Sequence, residues 1–376
     1  MKAKRYMNLS SYKRIIISGG GTGGHVFPAI SIANALRKTA PGTEILFVGA
    51  EGRMEMEKVP AAGYRIIGLP VLGFYRSLTL KNIKVIFSLM KSLRLAKRII
   101  KEFKPDIAVG VGGYASGPVL RQAARMHIPT LIQEQNSYAG ITNRLLSRQA
   151  TVICVAYDGM EKYFPARKIV KTGNPVRQNF DNLEKLRNDA LAYFGLQNSS
   201  PVILVLGGSL GAGTINTNLS GNIGKMIDSG CQWIWQTGRN YFESMIKILS
   251  RFPASNILAN GFIDRMDYAF AAADVIISRA GAGTISELCL VGKPVILVPS
   301  PNVAEDHQMK NAMALSERDA AILLEDEKAA EVLVDEIIKL INDKQKRSVL
   351  SANIVKMAVR DSDIRIAQEV LRIAGK

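Results

Sequence analysis

Four times along this chain a short apolar, mostly β-branched run ends in a turn of small residues. The stretches are RIIISGGGTGG from Arg14, DIAVGVGGYASGP from Asp106, PVILVLGGSLGAGT from Pro201 and DVIISRAGAGTISEL from Asp274. An unbroken β-branched run marks a strand buried on both faces, as in parallel sheets covered by helices. Parallel neighbours need crossovers, and the helical patterns that follow the turns supply them. The chain is therefore expected to be α/β. A Gly-rich turn between strand and helix brings backbone N–H groups and the positive end of the helix close to a ligand, so each turn is a candidate anion site.

The order of elements occurs twice. Asp106 and Asp274 open similar strands 168 residues apart, while Pro129 (PTLIQEQNSYAG) and Pro294 (PVILVP) open another such pair 165 apart. The first and third Gly turns correspond in the same way. Two similar α/β domains facing each other across a cleft are expected, and 376 residues suffice for them. The join falls near KTGNPVR, Lys171 to Arg177, where Gly and Pro interrupt a strand-like run and suggest a hinge that closes over a ligand. In the second half, RAGAG is expected to lead into a capped helix that begins at Thr284, carries Glu287 and closes at Gly292. PVILVP and a polar loop with Glu305, Asp306, His307 and Gln308 follow. Asp361 and Asp363 open a final amphipathic helix, where they read as N-capping residues and not as a metal-binding carboxylate pair.

Composition narrows the partners. A formal charge of +17 calls for an anionic one: nucleic acid, an acidic membrane surface or phosphorylated substrates. No run reaches the roughly 18 apolar residues of a membrane span, and no secretory signal is apparent, so a cytosolic protein with reduced thiols is expected. The three cysteines lack CxxC spacing, and GxxxxGK[ST] and GxSxG are absent. No zinc site, P-loop or hydrolase elbow is expected. From Lys81 to Lys104, Ile86, Leu89, Leu93, Ala96, Ile100 and Phe103 form one helix face, opposite Lys84, Lys91, Arg94, Lys97, Arg98, Lys101 and Lys104. That basic face is either simply solvated or, together with Leu72, Phe74 and Tyr75 upstream, a surface for anionic lipid.

Individual residues suggest roles with alternatives. Glu287 suits a ribose diol, or merely the helix dipole. Gln308, Asn136 and Asn311 suit neutral hydroxyls and carbonyls, or water. Arg177 suits a diphosphate, or solvent. His25, in a Gly turn, is the natural general base for a hydroxyl, or else orients its loop.

Taken together, GGGTGGHVFPA, GGYASGP, QEQN, GNPVR, GGSLGA, FIDRM, RAGAGTISEL and HQ, in that order, resemble the MurG family of bacterial peptidoglycan glycosyltransferases, from Arg14 to the last helix. The resemblance implies a GT-B fold of two Rossmann-like domains. Residues 1–172 would be the acceptor- and membrane-binding domain and 173–359 the UDP-GlcNAc-binding domain, with 360–376 crossing back to the first. It implies metal-independent, inverting transfer of GlcNAc from UDP-GlcNAc to the 4-hydroxyl of an undecaprenyl-diphosphate-linked MurNAc-pentapeptide, at the cytoplasmic face of the membrane and without nucleic acid. By resemblance, Thr22, Gly23, Gly24 and Asn136 lie near the donor sugar and diphosphate, and Arg177 and Ser209 near the diphosphate. Ile263 falls at the uracil, Ala282, Gly283, Thr284, Ile285, Ser286 and Glu287 under the ribose and phosphates, and Gln308 at the sugar hydroxyls. Gly112, Gly113, Tyr114 and Ser116 would shape the acceptor diphosphate site. His25 is the candidate base, with Glu134 or a held water as alternatives. Residues 1–12 lie outside the resemblance.

Competing readings are another GT-B lipid glycosyltransferase or a UDP-GlcNAc 2-epimerase, which should differ at GGYASGP and QEQN, and a basic nucleic-acid-binding protein, which leaves the Gly turns unexplained.

Overall fold

The computed structural model describes residues 12–72, 81–176, 180, 182–208, 210–252, 256–303 and 306–375, with the backbone alone for 81–84. Arg177 and Ser209, Glu305 of the polar loop, and Phe74 and Tyr75 of the expected lipid-binding segment lie outside the described residues. The chain divides into two compact units, Met1–Val176 with Asp361–Lys376, and Arg177–Arg360.

In the first unit, β1 (Arg14–Ser18) leads to α1 (Gly23–Thr39), β2 (Glu44–Ala50) to α2 (Glu55–Ala61), and β3 (Arg65–Leu69) to α3 (Lys81–Phe103). Next come β4 (Ile107–Gly110), α4 (Ser116–Arg125), β5 (Thr130–Glu134), α5 (Ile141–Leu146), β6 (Val152–Val155) and β7 (Ile169–Lys171). All seven strands are parallel in the order β3-β2-β1-β4-β5-β6-β7. Residues of β1 alternate between two cores: Ile15 and Ile17 join one with α1, and Ile16 joins the other with α3 and α4. That alternation is why the run must be apolar throughout.

The second unit contains α6 (Leu183–Phe194), β8 (Val202–Leu206), α7 (Gly213–Gly221), α8 (Ile223–Asp228), β9 (Gln232–Gln236), α9 (Phe242–Leu249) and β10 (Ile257–Asn260). It continues with α10 (Met266–Ala272), β11 (Val275–Ser278), α11 (Ala282–Val291), β12 (Val295–Leu297), α12 (His307–Ser316) and β13 (Ile322–Leu323), and ends with α13 (Asp326–Asn342) and α14 (Lys344–Lys356). Its six parallel strands run β10-β9-β8-β11-β12-β13. Trp233 and Trp235 on β9 are fully buried, each with its indole N–H bonded, to Met226 O and to Asn216 Oδ1.

Several local expectations shift. α11 begins at Ala282, two residues before Thr284, and its N-cap is Gly281 with no side-chain cap. The buried stripe of α3 runs through Val85, Ser92, Ala96, Ile99, Ile100 and Phe103. Ile86, expected inside, is instead 51% exposed beside exposed Phe87 and Met90. Ala96, Ile100 and Phe103 are buried as expected, so the difference is confined to the N-terminal half of the helix, where Val85 and Ser92 turn inward. The helix stops at Phe103 because Lys104 takes a left-handed conformation (φ 49°).

The last helix, α15 (Ser362–Ala374), packs on α1 through Ile366, Ala367, Val370 and Leu371. Asp361 occupies its N-cap position in a left-handed conformation without a side-chain cap, unlike the expected capping. Asp363 follows in the first turn, one carboxylate oxygen buried without a hydrogen-bond partner, and burial holds its carboxyl above the usual range. A raised folded-state value means that the native chain binds this proton more readily than the unfolded one. Its contribution is present below the unfolded value and is lost as pH rises through the folded value. Asp363→Asn should therefore raise Tm by about 1–3 °C at pH 7, the gain vanishing below about pH 4. A lower Tm for the variant at pH 7 in calorimetry would contradict this.

Candidate functional site

In an open parallel sheet the loops diverge where the strand order reverses, leaving a crevice at the carboxyl ends. In the first unit the reversal falls between β1 and β4, and the loops after them are the first two Gly turns. They touch: a Cβ on Gly113 would lie 2.2 Å from Gly20 O, and one on Gly112 would lie 2.8 Å from His25 Nε2. Both glycines have positive φ, 82° and 93°, so no other residue suits either position on both counts. Gly23, Gly24 and His25 form the first turn of α1, beyond the loop proper, with Thr22 as the extended N-cap. Pro28 carries no N–H, so the Gly24 carbonyl receives no bond from the residue four positions on.

Thr22 Oγ1 and His25 Nδ1 are 3.2 Å apart. In the tautomer where Nδ1–H donates to Thr22, Nε2 on the Gly112 side is the proton acceptor a general base needs. Glu134 differs. It is 1% exposed and accepts from the backbone N–H of Asn136 (3.1 Å) and Gly140 (3.1 Å) and from Asn143 Nδ2 (2.8 Å). Burial pushes its carboxyl up, opposed by those bonds. Such a group holds the QEQN loop. Asn136 Nδ2 also donates to it, at 3.3 Å. Ser116 is fully buried and donates to Gly113 O at 3.0 Å, so its hydroxyl shapes the loop, whereas Tyr114 is 55% exposed.

A residue not foreseen from the sequence anchors the first turn. Glu55, 1% exposed at the start of α2, accepts from Gly21 N–H (3.0 and 3.1 Å) and Ala50 N–H (2.9 Å), tying the end of β1 to the end of β2. Gly20 passes so close that a Cβ would lie 2.0 Å from Glu55 Oε1. A buried amide web also went unforeseen: Gln133 Nε2 donates to Asn174 Oδ1 (3.1 Å), Asn174 Nδ2 to Gln135 O (2.9 Å) and Gln135 Nε2 to Val111 O (2.8 Å). It links Asn174, in the stretch where the join was expected, to Val111, the residue preceding Gly112.

In the second unit the reversal lies between β8 and β11, and the third and fourth turns follow those strands. Gly281 precedes Ala282, Gly283 and Thr284, the first turn of α11, so their N–H groups face the end of the helix without a side-chain cap. Ile285 is buried and packs inward, Ser286 bonds back to Ala282 O (3.1 Å), and Glu287 is half-buried. Gln308 accepts from Ser300 N–H at 2.9 Å, and buried Asn311 donates to Ala280 O at 3.4 Å, so Asn311 supports the turn. Ile263 donates its N–H to Gln236 Oε1 (3.2 Å), so that N–H is already engaged within the protein. It borders a cavity of about 570 Å³ with Asn260, Phe262 and Arg265. The three cysteines are free and buried, and burial pushes Cys154 and Cys289 up to about 12.

Removing the Glu55 carboxylate leaves two backbone donors unpaired. Glu55→Ala is expected to cost about 2–4 kcal/mol in urea unfolding. A loss under about 0.5 kcal/mol would show that the turn is held by other contacts.

Two family models match the chain, the glycosyltransferase family 28 N-terminal domain over residues 15–155 and the C-terminal domain over 202–366. A UDP-N-acetylglucosamine–N-acetylmuramyl-(pentapeptide) pyrophosphoryl-undecaprenol N-acetylglucosamine transferase of Parabacteroides distasonis is 59% identical, covering 96% of this chain and 99% of its own. The crystal structure of Acinetobacter baumannii MurG is 30% identical with a TM-score of 0.77, over 96% of this chain and 99% of that one. A Neisseria meningitidis UDP-GlcNAc 2-epimerase shares the fold alone, at 15% identity and a TM-score of 0.65 over 96% of this chain and 100% of that one. With two parallel-sheet domains and near-full-length identity of this order, the chain belongs to the MurG family of glycosyltransferase family 28.

Proposed function

We propose that this protein transfers GlcNAc from UDP-GlcNAc to the 4-hydroxyl of the MurNAc-pentapeptide diphosphate lipid in peptidoglycan synthesis. The near-full-length identity to the P. distasonis transferase carries the reading, and the switch-point geometry supports the roles that follow. The second unit, with residues 173–359 as its expected span, holds the donor: Glu287 accepts from the ribose diol, the first-turn N–H groups of α11 take diphosphate charge, and Gln308 meets sugar hydroxyls. Ser209 and Arg177 are assigned to the diphosphate. The first unit, residues 1–172 with 360–376, holds the acceptor diphosphate against Gly112, Gly113 and Tyr114. Thr22, Gly23, Gly24 and Asn136 approach the donor sugar.

His25 Nε2 takes the proton of the 4-hydroxyl as its oxygen bonds to the anomeric carbon of GlcNAc. The bond from that carbon to the diphosphate oxygen breaks on the opposite side, inverting the centre, and UDP leaves with the electron pair. Fixed N–H dipoles stabilise the leaving charge in place of a metal, because donors already aimed at developing charge need no reorganisation. Glu134, buried and engaged with its own loop, is the poorer candidate for the base because it is out of reach of a substrate hydroxyl.

Among the described residues no helix is long and apolar enough to cross a membrane. Exposed Leu72 and, on α3, exposed Ile86, Phe87 and Met90 with exposed Lys91, Arg94 and Lys97 support peripheral attachment to an anionic membrane at its cytoplasmic face. Each cation near such a surface contributes about 1 kcal/mol.

Supplied with labelled UDP-GlcNAc and the muramyl-pentapeptide lipid, the enzyme should yield the lipid-linked disaccharide. Donor turnover without that product would refute the acceptor. His25→Ala should lower kcat by about 10²–10⁴ with the donor KM little changed, and an unaltered kcat removes the base assignment. Reversing Lys91, Arg94 and Lys97 to Glu should reduce sedimentation with anionic vesicles while leaving donor affinity intact; equal sedimentation would reject the membrane surface.

A further inference from the structure

The donor-side surface of the second unit is assembled from three separate stretches: the turn after β8 leading into α7, the turn from Arg279 into α11, and the segment after β12. One partly buried cluster touches all three. Arg279 Nη1 donates to Val298 O (3.1 Å) and Pro299 O (3.2 Å) and pairs with Asp326 Oδ1 at the start of α13. The other oxygen, Asp326 Oδ2, accepts from Thr214 Oγ1 at 2.7 Å in the first turn of α7. Arg279 and Asp326 side chains are each 17% exposed.

An arginine opening a small-residue turn would ordinarily be read as a diphosphate ligand. Here the guanidinium is engaged by a carboxylate and two carbonyls, and that carboxylate also holds the helix of the neighbouring turn. We infer that Arg279, Asp326 and Thr214 form a strut that fixes the spacing of the two donor-side turns, with Asp326 and Thr214 acting as positioning residues for nucleotide binding through Arg279. The inference rests on the reading of these turns as the donor site. Breaking one partner of a partly buried pair leaves the other charge uncompensated, and the turns lose their common support.

Two rival readings make different predictions. If Arg279 were a phosphate ligand restrained by Asp326, neutralising the acid would free the cation and tighten UDP binding. If Asp326 served only the dipole of α13, the Thr214 hydroxyl would be irrelevant.

Calorimetric titration of the full-length protein with UDP separates them. Asp326→Asn should weaken UDP binding about tenfold and Thr214→Val about threefold, while Thr214→Ser, which keeps the hydroxyl, should stay within about twofold of wild type. In turnover, KM for UDP-GlcNAc should rise in the two weakened variants with the pH profile of kcat unchanged. Circular dichroism establishes that each variant is folded, and should Asp326→Asn not fold, the Thr214 pair decides the question. Wild-type protein that does not bind UDP removes the donor-site reading itself. Wild-type binding with an unchanged Thr214→Val, or with UDP bound more tightly by Asp326→Asn, overturns the strut alone.

Discussion

The reversal of strand order beside the first strand of each sheet is the constraint from which the functional surface follows. At β1 and β4, and again at β8 and β11, neighbouring strands send their chains to opposite faces, so the chains diverge only beyond the loops and backbone donors are left at the carboxyl ends. Nothing bulky fits between loops that approach this closely. A Cβ on Gly113 would meet the Gly20 carbonyl, and in the second unit one on Gly238, in the loop after β9, would meet Gly211 N of the loop after β8 at 2.1 Å. Glycine there is a steric requirement of the loops before it is a feature of any ligand, and the same absence of side chains lets a phosphate reach the backbone.

Loops of this kind need support from outside themselves, and both units supply it with partly or fully buried acids at helix starts. Glu55 holds Gly21 and Ala50, and Asp326 holds Arg279 and Thr214. In each case the carboxylate is engaged by protein donors, so it serves to hold the loops together.

The strands and turns were legible in the sequence because burial on both faces demands apolar β-branched runs and tight approach demands glycine. Supporting residues were not. An acid in the first turn of a helix looks the same whether it merely faces the dipole or clamps a loop; Glu55 meets Gly21 34 positions away, and Asp326 meets Thr214 across 112. Helix starts were misjudged at Thr284 because small residues are as acceptable in a first turn as in the loop before it. The face of α3 was right at Ala96, Ile100 and Phe103 and misjudged at its N-terminal end, because Val85 and Ile86 are both apolar and only packing against the neighbouring elements decides which turns inward. The side-chain amides of Gln133, Gln135 and Asn174 read as polar loop residues, yet they are 0–2% exposed and bond to one another or to backbone.

The central claim is that fixed N–H dipoles at these loops, and not a bound cation, carry the leaving diphosphate. The most direct test is the initial rate of disaccharide-lipid formation by purified enzyme in excess chelator. The account predicts a rate equal to that in added magnesium. Loss of activity with chelator and its recovery on adding a divalent cation would contradict it.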